Sequence, residues 1–171
     1  GCAVANSMAA VLSGARHVQG TLNGLGERTG NTNLTTVIPN LQLKLGYECL
    51  PEGRLERITA VSNHVAEVLN RPLNPQAPYV GSGAFAHKAG LHVSAIARAK
   101  DAYEHVDPEL VGNGTRFVVS EMAGKATIAI KAEELGLAMD GPAVNQVIDD
   151  LKRDFFLDPV LDRLQPFPNG W

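Results

Sequence analysis

The chain has 171 residues, 44% hydrophobic and 19% charged, proportions of a globular protein large enough for one ordinary domain or two small ones. A net charge of -3 and an aromatic content of 5% argue against a nucleic-acid binder, which needs a basic patch and stacking platforms. The two cysteines, Cys2 and Cys49, form no metal-spaced cluster, and no apolar run approaches the ~18 residues of a membrane span, so a reducing, cytoplasmic location is expected.

The opening GCAVANSMAAV has neither Met nor a charged leader. It reads as the middle of an element, so a fragment of a longer protein is expected. Val4, Met8, Val11 and Leu12 share one face of a helix over Ala3–Leu12, with Gly14 as its stop. His17–Leu22 is a weak strand candidate. The loop NGLGERTGNTNL, Asn23–Leu34, comes next. Leu34, Val37, Ile38, Leu41 and Leu45 then form a second helical stripe closed by Gly46. Pro39 lies inside this stripe and should kink the helix or mark its start, because it has no N–H to donate.

A third helix is expected over Leu55–Leu69, with Ile58, Val61, Val65 and Val68 inward. NRPLNPQAP holds three prolines in nine residues, a linker or an ordered crossing. A boundary between two units is expected near residues 46–80. Beyond it come a helix over Ser82–Ala99, a strand in RFVVSE and a helix over Lys125–Leu135 ended by Gly136. In the last helix Asp140 caps the first turn, Pro142 is tolerated there, and Val144, Val147, Ile148 and Leu151 form the apolar face.

The glycines of the 23–34 loop, Gly24, Gly26 and Gly30, are spaced G-x-G-x-x-x-G. That is neither a dinucleotide fingerprint nor a P-loop. Two readings stay open. The loop is a plain βα connection in which glycines permit positive φ, or it faces an active site at the carboxyl end of a barrel strand, with Glu27, Arg28 and Asn31 in the site. The Asn31 amide oxygen suits a hard divalent cation, but needs partners from elsewhere.

His87 and His92 are five apart, about 140° around a helix, so one ion cannot be held by both. His92 alone suits general acid–base work, or an ordinary hydrogen-bonded role. Tyr103, beside His105 in DAYEHVDPEL, could relay a proton or pack. His17 and His64 read as structural. Lys88, Arg98, Lys100, Arg116 and Lys125 are dispersed and read as a solvated face. The turn SEMAGKAT, Ser120–Thr127, offers helix-start amides to an anion without demanding one.

Taken together, GARHVQGTLNGLGERTGNTNLTTVIPNLQLKLG resembles the last barrel strand and helix of the enzymes that condense acyl-CoA with 2-oxoacids: the 2-isopropylmalate, homocitrate and citramalate synthases. G-E-R-x-G-N carries most of the resemblance. GCAVANS resembles the tail of that family's H-x-H-N-D-x-G-x-A-x-A-N metal motif. GSGAFAHKAGLHVSAI and YEHVDPELVGN resemble its post-barrel linker subdomains. Within the family the likeness is to the citramalate branch, since His92 is followed by Val93, Ser94 and Ala95 and not by the H-Q-D-G pattern of the isopropylmalate branch. RDFFLDPVLDRLQPFPNGW departs from the family pattern.

The resemblance implies an α/β fold. Residues 1–50 would be the last helix, strand and helix of a truncated TIM (β/α)8 barrel, 51–78 a linker helix and Pro-rich crossing, and 79–171 a second, helix-rich α+β linker subdomain. It implies a metal-assisted condensation of acetyl-CoA with pyruvate to citramalate, in isoleucine biosynthesis, using Mg, Mn or Zn. The implied catalytic residues are His92, Tyr103 and Glu27. Glu27 and Gly26 would lie by acetyl-CoA, and Asn31 would serve the metal. A domain-swapped homodimer, with no nucleic-acid or membrane partner, is also implied. The alternatives are a sister synthase making 2-isopropylmalate or homocitrate, and a non-catalytic dimerisation or regulatory module.

Overall fold

The computed structural model describes residues 1–87, 95, 99, 104–118 and 124–157. They fall in two compact units, Gly1–Ala86 with Asp101–Arg116, and His87–Lys100 with Phe117–Trp171. The described chain is mostly helical, with one small sheet.

In the first unit α1 spans Ala3–Leu12, as its periodicity requires, and Gly14 comes after it at φ 108°. α2 spans Leu34–Pro39. Asn33 caps it, its Oδ1 accepting from the Thr35 amide at 3.0 Å and the Thr35 hydroxyl at 2.7 Å. Pro39 does not start the helix; it is the last residue of α2. Past Pro39 the winding widens into a π-turn over Asn40–Lys44, then stops before Gly46 at φ 71°. Val11, Val37 and Leu41 form a small core, with Val4, Met8 and Val18 against it.

The strand expected at His17–Leu22 does not form. A strand exists through a partner's backbone groups. This segment finds one isolated parallel bridge, Thr21 with Asn33, made by Thr21 N–H to Thr32 O (2.9 Å) and Leu34 N–H to Thr21 O (2.9 Å).

A 3-10 turn over Leu55–Arg57 leads into α3, Ile58–Val68. The inward face is only partly the one expected: Ile58 is in the core and Val65 is half-buried. Leu55, Ile58 and Ser62 are buried, while Val61 and Val68 are 38% and 69% exposed. The three buried positions obey the i, i+3, i+7 rule as well as the valines do. Ser62 can go inside because its hydroxyl donates to Asn23 Oδ1 at 2.5 Å and its carbonyl accepts from Asn23 Nδ2 at 2.9 Å.

The Pro-rich segment is an ordered crossing. Ala77, Tyr79 and Val80 lie in the main core with Leu55, Ile58, Phe85 and Val111. The Asn74 side chain accepts from the Gln76 amide at 2.9 Å, and Gly83 N–H donates to Pro75 O at 2.8 Å, so the crossing is tied to itself. Residues 46–80 thus contribute Leu50, Leu55, Ile58, Leu73, Ala77, Tyr79 and Val80 to one packed unit.

The helix expected from Ser82 does not begin there. Residues 82–85 form a turn, and β1 is Ala86–His87; most of the remainder to Ala99 lies outside the described residues. β2 is Arg116–Phe117, the described part of the strand expected in RFVVSE. β1 pairs with β2: Arg116 N–H donates to Phe85 O and Val118 N–H to His87 O, both at 2.9 Å, so the strands run parallel.

In the second unit α4 spans Lys125–Glu134 with Gly136 at φ 68° after it. α5 spans Gly141–Leu157. Asp140 Oδ1 accepts from the Ala143 amide at 2.9 Å, the expected cap. Val144 and Ile148 are buried with Ile128, and Val147, Leu151 and Met139 pack on them.

Candidate functional site

The 23–34 loop is built on left-handed backbone. Asn23, Gly24, Arg28 and Gly30 have φ of 58°, 67°, 57° and 92°, and Gly26 has φ 155°. Asn tolerates this region better than most residues, so Asn-Gly at 23–24 makes the first reversal. Asn31 N–H donates to Gly24 O at 3.0 Å and Gly30 N–H to Glu27 O at 2.9 Å, closing the loop on itself. Its base is held from below by the Asn23–Ser62 pair.

Asn31 is the ordered polar residue at the tip. Its Nδ2 donates to Leu25 O at 2.9 Å, an oxygen that also accepts the Thr21 hydroxyl at 2.5 Å. Committing the amide nitrogen inward turns the carbonyl oxygen into the outward donor atom. Gly26 makes this seat possible, because a Cβ there would overlap the Asn31 side-chain amide. A glycine expected to lie by a cofactor thus has a nearer task, admitting Asn31.

Glu27 and Arg28 pair at 3.3 Å with side chains 89% and 83% exposed. An ion pair in that setting adds little stability, so both side chains are held loosely and are open to a ligand. Behind the loop lies a cavity of about 320 Å³, lined by Asn23, Leu25, Asn33, Arg71 and Asn74 among others.

The fit to a divalent metal is that of one oxygen ligand. Asn31 Oδ1 is the right donor for a hard cation. Among the described residues no group of three or more His, Cys, Asp or Glu side chains could hold an ion.

His92 and Tyr103 lie outside the described residues, as do Lys88, Arg98 and Lys100. The two residues after Tyr103 are well anchored. Glu104 is 6% exposed and its Oε1 accepts the Thr115 hydroxyl at 2.5 Å. The His105 ring stacks on Phe85 (6.2 Å between centroids, 9° between planes) and tilts against Tyr79 (5.6 Å, 51°). Lys44 Nζ donates to His105 O at 2.5 Å. Burial first, and the Lys44 charge second, push the His105 pKa below its ordinary value, so the ring is neutral at neutral pH. Burial raises the Tyr79 pKa, which keeps its hydroxyl protonated; that hydroxyl donates to Asn40 Oδ1 at 2.8 Å.

The remaining histidines separate. His87 sits on β1 with its ring near Phe117 (6.3 Å), while His17 and His64 are exposed and belong to no core. The Tyr79–His105–Lys44 cluster escaped sequence reasoning because its members are 26 to 61 residues apart. The one available signal was the density of YEHVDPEL in residues that both stack and hydrogen-bond. Among the described residues no helix is long and apolar enough to cross a membrane.

Comparison with known proteins agrees with this layout. Residues 1–65 match the HMGL-like family, and residues 79–155 match the family described as homocitrate synthase post-HMGL domain-like. The chain is 51% identical over 152 residues to an (R)-citramalate synthase of Aquifex aeolicus, covering 88% of this chain and 29% of that protein. It is 54% identical over 154 residues to the (R)-citramalate synthase of Streptomyces coelicolor, covering 89% and 29%. Sulfolobus acidocaldarius offers two relatives: its (R)-citramalate synthase is 48% identical (89% and 30% covered) and its 2-isopropylmalate synthase 37% identical (89% and 39% covered). The chain thus spans under a third of the length of the (R)-citramalate synthases it matches. In chain order, residues 1–65 are thus HMGL-like and residues 79–155 homocitrate synthase post-HMGL domain-like, and about half of the aligned residues are shared with (R)-citramalate synthases.

Proposed function

We propose that this chain is part of an acyltransferase that condenses acetyl-CoA with pyruvate to citramalate, a step toward isoleucine. The carrying observation is the contrast within one organism: 48% identity to its (R)-citramalate synthase against 37% to its 2-isopropylmalate synthase. In this reading residues 1–50 close a TIM barrel, 51–78 cross over, and 79–171 form a linker subdomain. The whole enzyme is cytoplasmic and works as a swapped homodimer.

The chemistry then divides among a few groups. A base takes a proton from the acetyl-CoA methyl, and the resulting enolate carbon attacks the ketone carbon of pyruvate. The ketone oxygen gains a proton, and water cleaves the thioester to release the CoA thiol. His92 and Tyr103 move the protons. Glu27 and Gly26 border acetyl-CoA. Asn31 offers its carbonyl oxygen to a divalent ion (Mg, Mn or Zn), which when bound polarises the ketone as a Lewis acid.

Thiol release by the full-length enzyme tests the substrate. We expect kcat/KM for pyruvate to exceed that for 2-oxoisovalerate by about 100-fold, the scale that small changes in an apolar side chain command, and that for 2-oxoglutarate by more, since its second carboxylate is charged. Preference for either larger oxoacid reassigns the protein to a sister synthase. No thiol release with any of the three favours a non-catalytic module.

Asn31→Ala is expected to weaken divalent-metal binding about 10- to 100-fold, measured by calorimetric titration of the full-length enzyme. Asn31→Asp, which keeps an oxygen at the position, should retain binding. The fold should tolerate both changes, because Leu25 O still accepts the Thr21 hydroxyl. An unaltered titration for Asn31→Ala removes Asn31 from the metal.

A further inference from the structure

We infer that the cavity behind the 23–34 loop is a binding site for a small organic carboxylate with an apolar tail. The site is separate from the outward oxygen of Asn31 and independent of the catalytic roles proposed above. The cavity measures about 320 Å³, at the small end of the roughly 300–1,000 Å³ of ligand pockets. It lies within the first unit, between the loop, the end of α3 and the Pro-rich crossing.

The charge of the site comes from Arg71. No acidic side chain lines the cavity, and Arg71 makes no ion pair among the described residues. A basic side chain at a helix C-terminus often bonds the last carbonyls of that helix. Here three carbonyls of the last turn are already taken by the backbone. Leu69 N–H donates to Val65 O at 3.2 Å, Arg71 N–H to Ala66 O at 2.9 Å and Asn70 N–H to Glu67 O at 2.9 Å. Asn70, at φ 47°, makes the left-handed step that closes this cap. The guanidinium is thus uncommitted while the backbone that carries it is fixed. Its planar fork of donors matches a carboxylate.

Two asparagines add donors whose identity is set by their other bonds. Asn33 Oδ1 accepts the Thr35 amide and hydroxyl, and Asn74 Oδ1 accepts the Gln76 amide. Each oxygen is consumed in a cap or turn, so each Nδ2 remains a donor without a partner among the described residues. Asn23 is spent at both ends on Ser62. The polar side chains of the lining therefore call for an anionic oxygen ligand. The remaining wall is apolar and includes Leu25, Leu69 and Leu73. Leu69 is 48% exposed, apolar surface that a hydrocarbon tail would cover. An inorganic anion would leave that surface wet, and an alcohol would leave the guanidinium unmatched. A carboxylate with a tail of a few carbons answers both.

Calorimetric titration of the full-length enzyme with hexanoate, with and without saturating pyruvate, tests the site. One binding event is expected, and pyruvate should not displace it. Hexanol and inorganic phosphate should each bind at least about 10-fold more weakly. Arg71→Met should weaken hexanoate binding about 10- to 100-fold, the worth of a hydrogen bond to a charged group. Ala66→Trp, which fills the cavity and leaves Arg71 in place, should abolish binding. Absence of hexanoate binding, its displacement by pyruvate, or equal binding of hexanol or phosphate overturns the inference. Unaltered binding by Arg71→Met, or by a folded Ala66→Trp, overturns it too. If Ala66→Trp does not fold, Arg71→Met decides alone, because Arg71 is exposed and its replacement leaves the core intact.

Discussion

Gly112→Ala is expected to destabilise the first unit by about 2–5 kcal/mol, the sum of a left-handed backbone penalty and an overpacking penalty. Gly112 ends a 3-10 turn, Pro108–Val111, with φ 65°. Only glycine occupies that region without strain. A Cβ there would also overlap the backbone oxygen of Glu56. That oxygen cannot swing aside like a side-chain tip. It belongs to the turn Leu55–Arg57, whose Leu55 is 5% exposed, with the equally buried Ile58 next in the chain. Relief requires moving this turn away from Val111, which is fully buried and whose carbonyl accepts the Thr59 hydroxyl at 2.6 Å.

Two other glycines separate the terms. Gly46 has φ 71° with nothing near its added Cβ, so Gly46→Ala should cost only the backbone term, about 1–2 kcal/mol. Gly114 has neither a positive φ nor a close neighbour, so Gly114→Ala should be nearly neutral. Urea unfolding of the 171-residue chain, monitored by far-ultraviolet circular dichroism, measures the series. A Gly112→Ala midpoint no lower than that of Gly46→Ala would show that the turn yields easily and the close approach carries no cost.

Elements set by local rules were legible from residue types alone. α1, α4 and α5 arise from helical spacing, from Gly14 and Gly136 at their ends and from the Asp140 cap. What stayed hidden depends on partners far along the chain. Val61 and Val68 pointed to the wrong face of α3, where Ser62 goes inside instead by satisfying its hydroxyl on Asn23, 39 residues away. Three prolines left a linker and an ordered crossing both open; their fixed φ angles preorganise a crossing that carries Tyr79 and Val80 into the core. The described part of β1, Ala86–His87, is too short to show a period-2 pattern, whereas RFVVSE, which holds β2, was legible. In the candidate loop, the need for glycine could be read, and its reason could not. Gly26 is required by the seat of Asn31, a contact that spacing does not reveal. The resemblance named Glu27, Gly26, Asn31, His92 and Tyr103, but it did not indicate the Tyr79–His105 ring contact, which only the fold brings about.

His92→Ala in the full-length enzyme is expected to lower kcat about 100- to 10,000-fold, the range spanned by losing a positioned general acid or base. The KM for pyruvate should change little, because the proposed oxoacid grip lies with the metal and the barrel. Imidazole is the group best matched to this task at neutral pH, since it can hold or release a proton there without a large shift. His87 gives the control. It is five residues away on the same segment, sits on β1 and packs by Phe117. A generic disturbance of the subdomain would appear in both variants, so His87→Phe should turn over near wild type while His92→Ala does not. The pH profile adds an independent readout. If His92 is the base, the acidic limb of kcat/KM reports its protonation, and that limb should vanish in the residual activity of His92→Ala. Equal turnover by the two variants, or an acidic limb that survives the substitution, would move the proton transfer to another residue and leave His92 with a hydrogen-bonding role.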